Sequence, residues 1–454
     1  MKQNLYNTEQ NKLVEKFLTD RYLNMYNEAY DDTQLELIIF SECNYKCDYC
    51  YIANHGDKLY PKTENDNTWT ILENLSKILD WMADNEYFVK KLALFSAEFF
   101  MHNRWEDVFQ RIYDVCTKKK KVCKFISIPT NMSFIRSEYV TSRVEFWIKK
   151  FDEIGIGVLL SGSIDGQYCD PITRESKSAL DEYRYDFYNK VFAFANKYKF
   201  GFHPMVSSKN IHRWKMNLEW FISMQREYSS DKNCVDHPFL LEVRNDDWND
   251  EALNHYIDFL KFEFKFLLEN CYDNNIQWFS AMLLHIDIPH YNTNRQNTML
   301  SIVPNGRLRC SMQTHMSIRV KYMDIVPCHR LCYDKFNYAK FREKDGKIVG
   351  LEAMNIPMMV KLTELNPIYS IPKCSQCKLS LFCSNQCLGA NYEANGDPFV
   401  CCKSVCSLYK RKYDTLRELY KEYSVFDNAR IAVGNSDGDN EKIKYINAME
   451  ELLL

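Results

Sequence analysis

Cys43, Cys47 and Cys50 form a CxxxCxxC run near the start of the chain. Far downstream, Cys374, Cys377, Cys383 and Cys387 follow one another at 2-5-3 spacing, with Cys401, Cys402 and Cys406 beyond. Three thiolates on one short loop can hold three irons of a 4Fe-4S cluster and leave the fourth open to a ligand. The alternatives are a zinc site one ligand short or buried free thiols. Four cysteines at 2-5-3 spacing with more behind them are far more specific than one CxxC, although a zinc ribbon is again the alternative. The opening MKQNLYNTEQNK has no apolar core of a secretory signal, so the chain is expected to stay in the cytoplasm. There thiols are kept reduced, and clusters of them mean metal more often than disulfides. His315 and His329 fall in the same stretch, where surface or hydrogen-bonding roles are expected of them before ligation.

Such a loop needs a scaffold. Six short apolar runs, LELIIFS (35–41), LALF (92–95), FISI (125–128), IGVLLS (156–161), FHPMV (202–206) and LLEVRN (240–245), read as strands. Between them lie helical patterns, clearest in Ile71, Leu72, Leu75, Ile78, Leu79 and Met82, which share one helix face. Noisier ones cover about 103–117, 136–150, 178–198 and 212–227. Repeated strand–helix alternation predicts parallel βαβ units, and six of them a curved, incompletely closed barrel with its site at the strand C-terminal ends. The first cysteine loop directly follows the first strand, at that end. Asn249, Asp250 and Glu251 open a helix running to about Asn270. From 300 onward short cysteine-punctuated turns are expected, then a helix over 407–424 and a partly disordered tail.

Composition narrows the function. The 454 residues are 46% hydrophobic and 26% charged, with a formal charge of −3. No apolar run approaches the ~18 residues of a bilayer span. Without a net positive charge there is no whole-molecule attraction to nucleic acid or anionic membrane, and the one basic run, Lys118 to Lys121, reads as a solvated helix end. Gly is scarce, at 13 residues, and neither GxxxxGK nor GxGxxG occurs, which removes P-loop and Rossmann readings.

CNYKCDYCY resembles the signature of the radical S-adenosylmethionine (radical SAM) superfamily, CxxxC followed by x-aromatic-C. The resemblance implies that the open iron chelates S-adenosylmethionine, with Tyr49 near the adenine, and that reductive cleavage gives a 5′-deoxyadenosyl radical. The family's GGE motif after the second strand is matched only by Ser96, Ala97 and Glu98. Glu98 alone survives from it, as a carboxylate for the methionine ammonium. Thr130 and Asn131 match a TN pair after strand three, and Ser163 and Asp165 an alcohol and an acid after strand four, near the ribose or substrate. Each could equally be a turn or cap residue. No catalytic acid or base is assigned.

The downstream array resembles the SPASM extension of these enzymes, which carries two auxiliary 4Fe-4S clusters. Carried over, one auxiliary cluster would use Cys374, Cys377, Cys383 and Cys406, with Cys402 as fallback. The other would use Cys387 and Cys310. The family's cysteine upstream of Gly306 is missing, so Cys328 and Cys332 are the substitutes. Three clusters then need eleven cysteines, and the rest, Cys401 among them, are mostly buried fillers. The fold class implied is α/β, a partial (β/α)6 TIM-like barrel followed by a small cysteine-rich SPASM domain. Its expected parts are an extension (1–34), the barrel (35–245), a helical bridge (246–299), the SPASM domain (300–424) and a tail (425–454).

SPASM proteins mostly act on peptides or proteins. The expectation is oxidative maturation of a ribosomal precursor peptide by a thioether or carbon–carbon crosslink. The alternatives are sulfatase-type formylglycine formation or, remotely, a zinc-binding interaction module. An electron donor such as flavodoxin or ferredoxin is implied. About 34 residues precede the first strand, too few for a leader-binding domain, so leader recognition is expected of a separate leader-binding protein or of the bridging helix region.

Overall fold

The computed structural model describes residues 6–23, 34–59, 68–95, 97–176, 184–228, 240–270, 315–363, 371–379, 383, 387–434 and six positions between 443 and 454. All six apolar runs form strands or a strand bridge. β1 (Gln34–Ile38) is followed in its loop by the short β2 (Tyr45–Cys47), then by β3 (Val89–Phe95), β4 (Cys123–Thr130), β5 (Gly157–Gly162) and the short β6 (Arg174–Ser176). β1, β3, β4 and β5 pair parallel in that order, as strands separated by crossover helices do. Phe202 makes a parallel bridge to Gly162, and β7 (Met205–Val206) pairs parallel with β8 (Leu241–Glu242).

The helices lie where periodicity puts them. Thr68–Asp84 buries all six expected residues, Ile71, Leu72, Leu75, Ile78, Leu79 and Met82, each contributing about 1.5–3 kcal/mol of apolar burial. The other crossover helices are Trp105–Lys118, Glu138–Asp152, Arg184–Tyr198 and Trp214–Tyr228. The basic run after Lys118 is a solvated helix end, with Lys119 paired to Asp80 and Asp84 at 2.8 and 3.0 Å. The helix Asp250–Asn270 starts as expected, the Asn249 side chain accepting from the N–H of Ala252 at 2.9 Å.

Two regions hold elements that the sequence pattern does not show. Between 315 and 353, where only turns were expected, stand β9 (His315–Arg319), β10 (Asp324–Val326), β11 (Ala339–Lys344) and β12 (Lys347–Ala353). β9 pairs parallel with the free side of β1, and β10, β11 and β12 continue antiparallel, giving one eight-stranded sheet. The second departure is a helix over Thr8–Tyr22, closed by an Asn7/Gln10 capping box. Its Asn11 and Glu15 side chains accept from the backbone N–H groups of Ala353 and Leu351 in β12, so the sheet's last strand is covered. In the tail, Val425–Gly434 is helical with Val425 and Phe426 buried; most of the polar stretch after it lies outside the described residues.

By packing, the described residues up to Ile164, Arg174–His203 and 315–363 form one unit. Asp165–Thr173 and the described residues of 204–270 and from 371 on form a second. In the second unit the Glu242 carboxylate accepts from Lys412 and Tyr256, the lysine coming from the helix Lys403–Glu422. Among the described residues no helix is long and apolar enough to cross a membrane.

Candidate functional site

The first site is built on the C-terminal ends of β1, β3 and β4. After β1 the chain runs on to Cys43, and the N–H groups of Ala97 and Glu98, just past β3, donate to the carbonyls of Phe40 and Glu42 at 3.2 and 3.0 Å. Cys47 lies opposite Arg174 in the β2/β6 ladder. The Cys50 N–H donates to the Cys47 carbonyl at 3.0 Å, and the helix Tyr51–Leu59 begins at the next residue.

Glu98 is the buried centre of this edge, 1% exposed. Its Oε1 accepts from the Thr130 hydroxyl at 2.8 Å and its Oε2 from the Asn131 N–H at 2.6 Å, with the Phe100 N–H more distant at 3.4 Å. Burial pushes its pKa up to about 7, against the downward pull of these donors and of the Arg174 charge. Such a carboxylate is a prepared partner for a ligand's cation, because burial strengthens the attraction that would hold it ionised.

Asn131 links this carboxylate to the cysteine loop. Its Nδ2 donates to Asn44 Oδ1 at 2.9 Å and lies 3.8 Å from Cys43 Sγ, and its Oδ1 accepts from the Ser133 N–H at 2.9 Å. Burial raises the Cys43 pKa, and the charges of Glu98 and Cys50 act the same way. Tyr49 is oriented by Arg174, whose Nη1 donates to the Tyr49 hydroxyl at 2.9 Å. The unit therefore brings Cys43, Cys50, Glu98, Thr130 and Asn131 together, with Tyr49 beside Arg174. Ser96 lies outside the described residues.

Ser163 follows β5, and its Oγ is 2.8 Å from Nε2 of His203, while Ser161 Oγ is 2.7 Å from Nδ1. Burial, helped by the Arg174 charge, lowers the His203 pKa to about 4, so the imidazole is neutral between its two hydroxyls. Asp165 belongs to the second unit. Its carboxylate accepts from Thr173 Oγ1 and the Met205 N–H, both at 2.9 Å, and its N–H donates to Asp170 at 2.8 Å. The next residue must be glycine: Gly166 has φ +101°, and a Cβ there would meet Asn217 Oδ1 at 2.6 Å.

Sequence reasoning missed Arg174, Asn44 and His203. Asn44 sits inside the cysteine motif and was open to notice. Arg174 and His203 carry no local pattern, and only the fold brings them to the strand ends. Glu36, on β1, was hidden inside an apolar run. It is buried and accepts from the His329 N–H (3.1 Å) and Ser317 Oγ, with His329 Nδ1 at 2.9 Å and His315 Nδ1 at 3.7 Å. Burial opposes its ionisation, but the two histidines outweigh this and hold its pKa well below the carboxylate range. His329 thus has the hydrogen-bonding role expected of it, and His315 stands beside the same carboxylate.

The second unit has a cleft of about 420 Å³ whose wall includes Cys374, Cys377, Cys383, Cys401 and Cys406. Cys374 and Cys401 are 3.1 Å apart, Sγ to Sγ. Cys402 is buried off the cleft wall with its Sγ 3.4 Å from Ser404 Oγ, and Cys387 caps the helix Leu388–Asn395. Cys310 lies outside the described residues. Cys328 and Cys332 are buried in the first unit, the Cys332 thiol donating to the Cys328 carbonyl at 3.3 Å. Cys116, Cys123 and Cys169 are buried, as fillers are; Cys401 is buried too and also lines the cleft. Among the described residues no three His, Cys, Asp or Glu side chains are arranged to hold a single metal ion. Three free thiols stand on one loop in the first unit, and thiols line the cleft of the second.

The parallel-dominated α/β sheet with its polar residues at the strand C-termini, followed by a cysteine-rich region, is a partial-barrel fold shared with solved structures. The solved structures it is similar to include the sulfatase-maturating enzyme anSMEcpe. With bound AdoMet and the Kp18Cys peptide, that enzyme matches at 15% identity and TM-score 0.53, over 87% of this chain and 99% of its own. A histidine-tagged form of anSMEcpe with bound AdoMet matches at 15% identity and TM-score 0.53, over 93% and 99%. No family model matches the sequence, and no curated protein matches it.

Proposed function

We propose that this chain is a radical SAM enzyme that oxidatively modifies a peptide, with crosslinking of a ribosomal precursor peptide as its reaction. The observation that carries the reading is the Cys43–Asn131–Glu98 arrangement: a three-thiol loop hydrogen-bonded to an asparagine whose own N–H holds a buried carboxylate. Cys43, Cys47 and Cys50 would hold a 4Fe-4S cluster by three irons, and Glu98 would take the ammonium of S-adenosylmethionine. When bound, the two together supply reductive cleavage to a 5′-deoxyadenosyl radical, which abstracts hydrogen from the peptide. The protein's part is to position them. Thr130 and Asn131 fix the carboxylate, Arg174 fixes Tyr49, and Ser161 and Ser163 orient a His203 that burial keeps neutral.

In the second unit, Cys374, Cys377, Cys383 and Cys406 are the proposed ligands of one auxiliary cluster. Cys310, Cys328, Cys332 and Cys387 are those of another, giving about 12 iron and 12 sulfide per chain. Flavodoxin or ferredoxin is the proposed donor and the cytoplasm the proposed location. Anaerobic reconstitution followed by iron and sulfide analysis tests the cluster count, and a chain holding about four iron would refute both auxiliary assignments. A Cys328/Cys332→Ala double variant with unchanged iron and product would exclude those two as ligands.

Sulfatase-type maturation is the second reading, favoured by the likeness to anSMEcpe. What lies beside the gene separates the two. A short precursor that the enzyme modifies supports crosslinking, and a sulfatase whose cysteine or serine it converts to formylglycine supports the other.

A further inference from the structure

The second unit's cleft has one thiol more than a 4Fe-4S cluster needs. Cys374, Cys377, Cys383, Cys401 and Cys406 line it, and Cys374 and Cys401 stand 3.1 Å apart. Thiolates on two different irons of a cubane are separated by two iron–sulfur bonds and an edge of the core, roughly twice that distance. This pair therefore reaches one corner of a cluster, not two. Cys401 is also placed independently of Cys374. The loop before the helix Lys403–Glu422 is fastened by Asn395, whose Nδ2 donates to the Val400 carbonyl at 2.8 Å, and by Asn391, whose Oδ1 accepts from the Cys402 N–H at 3.4 Å. Cys374 comes from the short turn Pro372–Ser375, held by its own N–H to the Ile371 carbonyl at 2.8 Å. Cys402 is engaged with Ser404, so Cys401 is the thiol this loop presents.

We propose that Cys374 and Cys401 are interchangeable ligands for a single iron, so that the cleft holds its cluster through Cys377, Cys383, Cys406 and either member of the pair. This rests on the reading of the cleft as an auxiliary-cluster site. Only one thiolate of the pair occupies the corner at a time, and the other remains a protonated neighbour able to donate a hydrogen bond to it.

The test compares iron content and reduced-state electron paramagnetic resonance spectra of the anaerobically reconstituted full chain. The variants are Cys374→Ala, Cys401→Ala, Cys374→Ala/Cys401→Ala and Cys377→Ala, with circular dichroism melting as the check of folding and Cys→Ser versions run in parallel. The expected result is wild-type iron in both single variants of the pair, with a shifted auxiliary signal in Cys374→Ala. The double variant and Cys377→Ala should each lose about four iron. Loss of about four iron from a folded Cys374→Ala or Cys401→Ala protein would overturn interchangeability while leaving the cleft a cluster site. Wild-type iron in the folded double variant and in Cys377→Ala would overturn the cluster reading of the cleft, and this inference with it.

Discussion

Asn131 Nδ2 lies 3.8 Å from Cys43 Sγ, joining the end of β4 to the first thiol of a loop 88 residues earlier in the chain. The same residue's backbone N–H donates to Glu98 at 2.6 Å, so one asparagine ties the proposed cluster ligand to the proposed ligand for the S-adenosylmethionine ammonium. Hydrogen bonds to a cluster's sulfurs raise its reduction potential by delocalising thiolate charge. Asn131→Leu should lower the potential of the first cluster by on the order of 50 mV in an electron paramagnetic resonance-monitored redox titration. An unchanged potential in a fully loaded variant would mean that this contact does not act on the cluster.

Glu98 makes the cluster-free protein pH-sensitive. Its pKa is about 7 when folded against an ordinary 4.5, with burial the main cause and the Arg174 cation opposing it. Between those values the folded state keeps a proton that the unfolded state has released, so stability falls as pH rises through roughly 4.5 to 7. The full effect is about 3 kcal/mol. Glu98→Gln cannot ionise, so it should match wild type in urea unfolding near pH 4.5 and be the more stable above pH 7. The same variant should lose S-adenosylmethionine affinity, and equal urea midpoints at pH 8 would refute the assignment.

Glu242 and Lys412 pull the other way. Although burial opposes it, the Lys412 charge and hydrogen bond lower the Glu242 pKa to about 2. The stability this adds is present above about pH 4.5 and disappears as pH falls toward 2. Lys412→Met leaves the carboxylate buried and unpaired by lysine, at a cost of about 3–5 kcal/mol. Calorimetry should show the loss at pH 7 and a smaller one near pH 3.

Much of this was legible in the sequence because it depends on local pattern. The strands of the partial barrel are short β-rich runs, and the helix Thr68–Asp84 carries its buried face in one periodic stripe. CxxxCxxC announced the first loop, and its position after β1 follows from topology. The strands β9 to β12 were not legible, because HMSIR and AKFREK are short and partly charged, and cysteines and turns lie between them. Their pairing beside β1 is a long-range choice. Arg174 and His203 reach Tyr49 and Ser163 only through packing, and Cys401 looked like filler until the folded chain set it 3.1 Å from Cys374.

The most direct test of the account is 5′-deoxyadenosine formation by the anaerobically reconstituted chain given S-adenosylmethionine and dithionite, measured chromatographically beside the Cys43→Ala/Cys47→Ala/Cys50→Ala variant. The account predicts turnover by the wild-type chain. It predicts none by the variant, which should lose about four iron and keep the rest. Appreciable 5′-deoxyadenosine from the triple variant, or none from a wild-type chain carrying its full iron, would contradict it.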